Sequence, residues 1–291
     1  MAQAEQSRVG VRFGTVGSPQ TTKGSGTVAA IEHSAQLGLD HLEIAWTRNV
    51  SATDATCLEI KAAAQANGIS LSVHAPYFIN LNSQTEEKML ASDERLLNAS
   101  RKGYLAGAKD IVFHPASYHG QDPALVYEKV CHQLTKISRQ LRDEGVNVTL
   151  RPETMGKVAV FGTLEEVVNL SRDVEGVAPC VDWAHLHART GNGTFNTYEE
   201  FAQALQLIQD RLGDTGLKTL HNHMSGIAYT SKGEKSHLPL NESDLQYRDL
   251  LQAFVDFEVE GTVGIEAPEP FHTADCLIFQ ATYRRLVELK E

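Results

Sequence analysis

The sequence has few thiols, no long apolar run and a deficit of positive charge, and each absence argues against a class of protein. Its four cysteines are scattered without a CxxC pair, which favours buried structural thiols over a disulfide framework. No run of about 18 apolar residues occurs, so the sequence offers no candidate for a membrane-spanning helix. The formal net charge is -11, which is unfavourable for coating nucleic acid with a broad basic surface.

The chain of 291 residues is long enough for one domain with a large core. No linker, low-complexity tract or internal repeat divides it, and the longest non-periodic stretch, residues 224–241, is predicted to be a loop. Residues 1–8 lack the basic start and apolar core of a signal peptide. We expect a flexible tail over residues 1–8, one domain over residues 9–291, and a cytoplasmic protein.

Eight short apolar runs alternate with amphipathic stretches of helical period. Strands and helices that alternate in this way predict an α/β protein built as a single (β/α)8 TIM barrel. The runs span residues 9–14, 41–46, 71–74, 110–114, 146–153, 178–182, 217–223 and 262–266.

The last six of these runs each end with a histidine or a carboxylate. The six residues are His74, His114, Glu153, Asp182, His223 and Glu266. In a TIM barrel the C-terminal ends of the strands surround one mouth, so the six side chains should converge. Converging carboxylates repel each other unless a cation lies between them, and no Lys or Arg ends these runs. The pattern therefore predicts a metalloenzyme.

Imidazole nitrogen combined with carboxylate oxygen suits zinc, manganese or iron(II) better than calcium or magnesium. We predict zinc or manganese. Three histidines and three carboxylates exceed the needs of one four-coordinate ion, which favours at least two ions bridged by Glu153. His185 follows Asp182 by three residues, and His237 lies in a polar segment after the seventh strand. These two histidines indicate a third metal position.

The other histidines have weaker claims. We assign no function to His33, His41, His119, His132 and His272. His187 is expected to face away from the ligands. His221 precedes His223 by two residues and shares its strand face, so it either supports that ligand or belongs to the barrel core.

Seven segments along the chain resemble endonuclease IV. They are HAPYFINL (74–81), FHPAS (113–117), RPETMGK (151–157), VDWAHLH (181–187), HMSG (223–226), HLPL (237–240) and IEAPEP (265–270). The resemblance extends in order over residues 9–289. It implies an AP endonuclease of the xylose isomerase-like superfamily, with a trinuclear site, usually zinc, that cleaves DNA 5′ to abasic sites and trims blocked 3′ ends. The expected partner is such DNA, with no membrane association, and we expect a monomer.

The resemblance also distributes the ligands among three ions. It implies that the first ion is held by His74, His114 and Glu153. For the second ion it implies Glu153, Asp182, His223 and Glu266. His185 and His237 would hold the third. The family has a further carboxylate two residues before the last histidine, but this chain has Lys235 there, a cation that cannot ligate. The adjacent Glu234 is the candidate to replace it.

Substrate contacts are expected from the loops around the same mouth. Tyr77 and Asn80 match the HxxYxxNL pattern of the family. Five basic residues fall in predicted loops on that side, namely Arg48, Lys157, Arg189, Lys232 and Lys235. They predict a basic mouth on an acidic body, or else they are ordinary solvated charges.

Three functions are consistent with these features. The leading hypothesis is metal-dependent phosphodiester hydrolysis at abasic sites in DNA repair, with Glu153 orienting the attacking water. The first alternative is a sugar isomerase or epimerase of the same superfamily, which an acidic protein suits but which typically needs fewer histidine ligands. The second alternative is a non-catalytic, metal-dependent binding module, against which stands the completeness of the six strand-end residues.

Overall fold

The computed structural model describes residues 10–290, so the tail predicted at residues 1–8 lies outside the described residues. Within them, eight strands form the predicted barrel, and each overlaps the apolar run that predicted it. They are Val11–Val16 (β1), His41–Ala45 (β2), Ser70–His74 (β3), Asp110–Phe113 (β4), Thr149–Pro152 (β5), Cys180–Asp182 (β6), Leu220–Met224 (β7) and Gly261–Ile265 (β8).

The barrel is all parallel and closes between β5 and β6. Hydrogen-bonded neighbours run in the order β5, β4, β3, β2, β1, β8, β7 and β6. The two remaining edges, β5 and β6, meet through parallel bridges between Leu150 and Val177 and between Glu153 and Cys180. The amide of Thr154 also donates to the carbonyl of Cys180 at 3.0 Å. The predicted α/β TIM barrel is therefore confirmed.

Nine α-helices lie among the described residues, one more than the eight expected. They are Thr27–Gln36 (α1), Asp54–Asn67 (α2), Glu86–Leu105 (α3), Pro123–Asp143 (α4), Leu164–Asp173 (α5), Trp183–Arg189 (α6), Tyr198–Lys218 (α7), Tyr247–Asp256 (α8) and His272–Lys290 (α9). The additional helix is α6, a short segment that follows β6 directly and carries His185 into the mouth.

Side-chain hydrogen bonds determine where several helices begin. Thr163 and Thr197 each accept a bond from the backbone amide of a glutamate three residues on, and that glutamate bonds back to the threonine amide. This reciprocal pair satisfies amides that have no partner within the helix. None of the helices in residues 10–290 combines the length and apolar character needed to cross a membrane.

Alternate residues of each strand point into the barrel. Several of these inward side chains are polar. Below the mouth lies a buried layer formed by His41, Glu43, Ser72, His221 and Thr262. Lower still, Nε of Arg151 lies 2.6 Å from Oδ1 of Asp110. Burial alone would raise the pKa of Asp110, but the Arg151 guanidinium holds it below its usual range.

Residues 224–241 are not the loop that the sequence predicted. They contain an antiparallel hairpin of Gly226–Thr230 and Gly233–Leu238, which we call the lid hairpin. Its apolar contacts are few, because Ile227 alone packs fully against Ala184 and Ala188 of α6. A hairpin with one small apolar face has a weak alternating pattern, which explains why the sequence did not predict it.

Candidate metal centre

The structure brings all eight predicted ligands together at the C-terminal mouth of the barrel. They form three adjoining groups whose ligand atoms lie within 4.8 Å of one another. The groups are His74, His114 and Glu153; then Glu153, Asp182, His223 and Glu266; then Asp182, His185 and His237. Glu153 belongs to the first and second groups, and Asp182 belongs to the second and third. The three groups therefore form one continuous centre.

The first group lies at the ends of β3, β4 and β5. Oε2 of Glu153 is 3.5 Å from Nε2 of His74 and 3.2 Å from Nε2 of His114. Glu153 is fully buried, and His74 almost so, whereas His114 is partly exposed. Burial alone would raise the pKa of Glu153, but the three surrounding histidines hold it well below its usual range.

The second group shares Glu153 and adds residues from β6, β7 and the end of β8. Nδ1 of His223 lies 3.0 Å from Oε1 of Glu153 and 3.5 Å from Oε1 of Glu266. Gly264 makes room for the imidazole, because a Cβ at this position would lie 3.0 Å from Cδ2 of His223. Three carboxylates and one imidazole therefore face a common point.

The third group depends on the local structure of α6. Asp182 is the N-cap of this helix, and its Oδ1 accepts a 2.7 Å bond from the amide of His185. This bond fixes the carboxylate and the imidazole on one side of the helix start. Nε2 of His185 then lies 3.4 Å from Nε2 of His237, which comes from the lid hairpin.

Glu234 joins this third group from the lid hairpin. Its Oε2 lies 3.7 Å from Nε2 of His185, and it lines the same cavity as His237. Gly156 permits this approach, because a Cβ there would lie 2.8 Å from Oε2 of Glu234. Lys235, by contrast, is exposed to solvent.

The donor set fits metal ions. Oε2 of Glu153 and Oδ2 of Asp182 are buried without any hydrogen-bond partner among the described residues. Within residues 10–290, the ion-pair partners of Glu153, Asp182 and Glu266 within 4.0 Å are all histidines, with no Lys or Arg among them. Buried carboxylates that converge in this way are stabilised by positive charge between them, which a bound metal ion would supply.

A model of the family described as xylose isomerase-like TIM barrel matches residues 31–277 of this chain. The chain belongs to the xylose isomerase-like TIM barrel family. The resemblance to endonuclease IV that the motifs indicated is thereby confirmed at the level of the family. The matched range, residues 31–277, contains every residue of the three ligand groups.

Two relatives illustrate the similarity in sequence. An uncharacterized protein of Methanocaldococcus jannaschii is 35% identical over 256 residues, which are 88% of this chain and 91% of that protein. A Bacillus subtilis protein named "probable endonuclease 4" is 29% identical over 206 residues, 68% of this chain and 66% of that protein. The chain thus spans slightly less than two thirds of the Bacillus protein.

Two solved structures share the fold. Endonuclease IV from Thermus thermophilus superposes with a TM-score of 0.73 at 23% identity, over 94% of this chain and 99% of that one. A D-tagatose 3-epimerase-like protein gives a TM-score of 0.75 at 17% identity, over 96% of this chain and 99% of that one. At such identities, likeness to an endonuclease and to an epimerase establishes the common fold.

Two of the predicted substrate residues line the mouth of the barrel. A cavity of 560 Å³ opens above the ligands, and both Tyr77 and Lys157 contribute to its wall. The Tyr77 ring stacks on His114, with centroids 5.0 Å apart and planes at 22°, and half of the residue remains exposed. Tyr77 therefore offers an aromatic surface beside the first ligand group.

The other predicted substrate residues lie elsewhere. Arg189 is buried and donates to the carbonyls of Met155, Lys157 and Val160, which indicates a structural role in place of the predicted substrate contact. Arg48, Lys232 and Lys235 are exposed outside the cavity wall.

Asn80 is a second structural residue among the predicted substrate contacts. Its Oδ1 accepts bonds from the amides of Asn82 and Ser117, so Asn80 joins the loops after β3 and β4 instead of facing the cavity.

The sequence analysis missed two residues that support the centre. Thr154 follows Glu153, and its hydroxyl accepts a 2.8 Å bond from the amide of Asp182, which fixes the ends of β5 and β6 together. Glu43 on β2 is fully buried beneath the ligands, with Oε1 3.0 Å from Nε2 of His223. The sequence did carry one signal for Glu43, because a carboxylate inside the apolar run HLEIAW (41–46) indicates a buried charge with a specific partner.

Proposed function

We propose that this protein hydrolyses the phosphodiester bond 5′ to abasic sites in DNA, with two or three zinc or manganese ions in the centre. The observation that supports this proposal is the sharing of Glu153 and Asp182 among three ligand groups. Shared carboxylates are typical of centres in which neighbouring ions act together on one phosphate. The relatedness to proteins named endonuclease 4 supports the same substrate.

The residues of the chain would divide the work of such a reaction. Bound ions would polarise the phosphate and lower the pKa of water. Glu153, which three histidines hold in one orientation, would align the attacking water. His185 and His237 would hold the ion nearest the lid hairpin, and Lys157 would add positive charge beside the phosphate.

We assign the third-site carboxylate to Glu234 instead of Lys235. In the lid hairpin, Ala228 pairs with Ser236 and Tyr229 pairs with Glu234, so Lys235 is an extra residue in a β-bulge. A bulge reverses the alternation of side chains beyond it. The carboxylate of Glu234 therefore lies on the side of His237, and Lys235 turns to solvent.

One observation favours a second candidate function. The group of Glu153, Asp182, His223 and Glu266 is by itself sufficient for one ion, as a sugar isomerase or epimerase would need. A single ion in that group would leave four of the converging histidines without a metal-binding role, namely His74, His114, His185 and His237. A non-catalytic binding module is disfavoured, because all eight predicted ligands converge in the structure.

Cleavage of a defined duplex tests the proposal. The protein, loaded with zinc or manganese, is incubated at low salt with a labelled duplex that contains one abasic site. We expect incision 5′ to the abasic site, no incision of the intact duplex, and loss of activity in Glu153→Gln. Absence of incision at high enzyme concentration with either metal would contradict the proposal, and turnover of a ketose would favour the epimerase.

A further inference from the structure

Glu43 is a fully buried carboxylate that groups with His41 and His221 below the predicted ligands. It lies on β2, one layer below the mouth, and has 0% exposure. Its Oε2 accepts a 2.5 Å bond from the hydroxyl of Ser72 and a 2.9 Å bond from Nε2 of His221. Its Oε1 has no such bond, and it is the atom that faces the ligand His223.

The imidazole of His223 has a different neighbour on each nitrogen. Nδ1 points up, 3.0 Å from Oε1 of Glu153 and 3.5 Å from Oε1 of Glu266. Nε2 points down and lies 3.0 Å from Oε1 of Glu43. Among the described residues neither of these two atoms makes a regular hydrogen bond, so the 3.0 Å contact pairs two buried polar atoms that are otherwise unsatisfied.

We propose that Glu43 is a positioning residue for the metal centre: its Oε1 accepts a hydrogen bond from Nε2–H of His223, which keeps the proton on Nε2 and leaves the Nδ1 lone pair free for the ion. Carboxylates commonly hold the remote nitrogen of a metal-binding histidine in this way, and they fix both its tautomer and its ring orientation. The inference rests on the metal centre of the proposed function and does not depend on DNA as substrate.

The surroundings hold Glu43 ready for this role. Ser72 and His221 restrain Oε2, so the carboxylate cannot rotate away from His223. His221 is restrained in turn. Its Nε2 donates to Glu43, and its Nδ1 then accepts a 2.6 Å hydrogen bond from the hydroxyl of Thr262. The two histidines of β7 thus differ in role: His223 faces the ions, and His221 holds the carboxylate that orients it.

A purely structural role for Glu43 makes a different prediction from a positioning role. Loss of a structural carboxylate lowers the free energy of unfolding and leaves metal affinity unchanged. Asp110 provides the matched control, because it is also a barrel carboxylate, largely buried, but is paired with Arg151 away from the ligands.

The experiment compares Glu43→Gln with Asp110→Asn by competitive zinc titration against a chelating dye. We expect one of the zinc-binding steps to weaken by about 10- to 100-fold in Glu43→Gln. The other steps should be unchanged, as should all steps in Asp110→Asn. Wild-type zinc affinity at every step in a folded Glu43→Gln protein would overturn the inference.

A measurement on the wild-type protein keeps the inference testable if Glu43→Gln fails to fold. Two-dimensional ¹H–¹⁵N correlation of the zinc-loaded protein reports the tautomer of each histidine. We expect His223 to carry its proton on Nε2 and to show a metal-bound Nδ1. A proton on Nδ1 of His223 would overturn the inference. Neither readout uses DNA, so a failure to cleave abasic sites leaves both results interpretable.

Discussion

Oε2 of Glu234 lies 3.7 Å from Nε2 of His185, although the alternation counted back from His237 assigns the inward position to Lys235. The β-bulge at Lys235 accounts for the difference, because it inserts one residue on one side of the lid hairpin. The structure thereby places a carboxylate beside the third ligand group one residue earlier than the family pattern implies.

Substitution at Glu234 should therefore remove an ion that substitution at Lys235 does not. In Glu234→Gln we expect the third ion to bind at least about tenfold more weakly, since the amide loses the charge that balances the cation. Lys235→Met should keep every ion, because Lys235 is exposed. Metal content after dialysis measures both variants. Equal metal content in Glu234→Gln and the wild type would remove Glu234 from the ligand set.

Sequence could predict the six strand-end ligands because their position depends only on where buried strands end. Each lies within one residue of the end of its barrel strand. The eight barrel strands were predictable for a similar reason, because apolar runs alternate with amphipathic helical stretches along the chain. His185 and His237 were predictable as candidates, although the helix and hairpin that position them were not.

The unpredicted parts depend on contacts between segments distant in sequence. The bulge at Lys235 is stabilised within a hairpin whose pairing the sequence pattern does not show. Glu43 acquires its role from Ser72 and His223 on two other strands. Arg189 looked like a loop cation, but the carbonyls that bury it belong to residues 155–160.

Arg189 should behave as a structural residue. In Arg189→Met the carbonyls of Met155, Lys157 and Val160 lose a charged donor inside the protein. We expect the free energy of unfolding to fall by at least about 2 kcal/mol, measured by chemical denaturation. Arg48→Met, at an exposed position, is the control and should be neutral. An unchanged stability together with weaker DNA binding would restore Arg189 as a substrate contact.

His41 should make the metal-free protein sensitive to acid. Burial, reinforced by the neighbouring His221, lowers the pKa of His41 to about 3 from the ordinary value of 6.5. Between these values the unfolded chain binds a proton that the folded chain does not, so stability falls as pH falls from 6.5 towards 3. In His41→Gln this contribution is absent, and the decline should be shallower.

The measurement for His41 is the free energy of unfolding at several pH values in the presence of a chelator. His132→Gln is the matched control, because His132 lies on the outer helix α4 and is exposed, and its profile should follow the wild type. Parallel profiles for His41→Gln and the wild type over this range would show that His41 is protonated in the folded state.

Tyr77 should contribute to DNA binding through its ring. We expect Tyr77→Ala to weaken binding of a duplex with one abasic site by about 1–3 kcal/mol, the usual contribution of stacking on a base. Tyr77→Phe keeps the ring and should bind like the wild type. Fluorescence anisotropy in a Glu153→Gln background, which prevents cleavage, gives both affinities. Equal binding by Tyr77→Ala would exclude stacking on the exposed face of this ring.

The number of metal ions per chain tests most directly whether the three ligand groups act as one multinuclear centre. Purified protein is loaded with zinc, freed of loosely bound metal, and analysed by mass spectrometry for metal and protein content. The shared positions of Glu153 and Asp182 predict three zinc ions per chain, and two if the third group binds weakly. A single ion per chain, unchanged when His185 and His237 are replaced by alanine, would contradict the account and favour a mononuclear epimerase site.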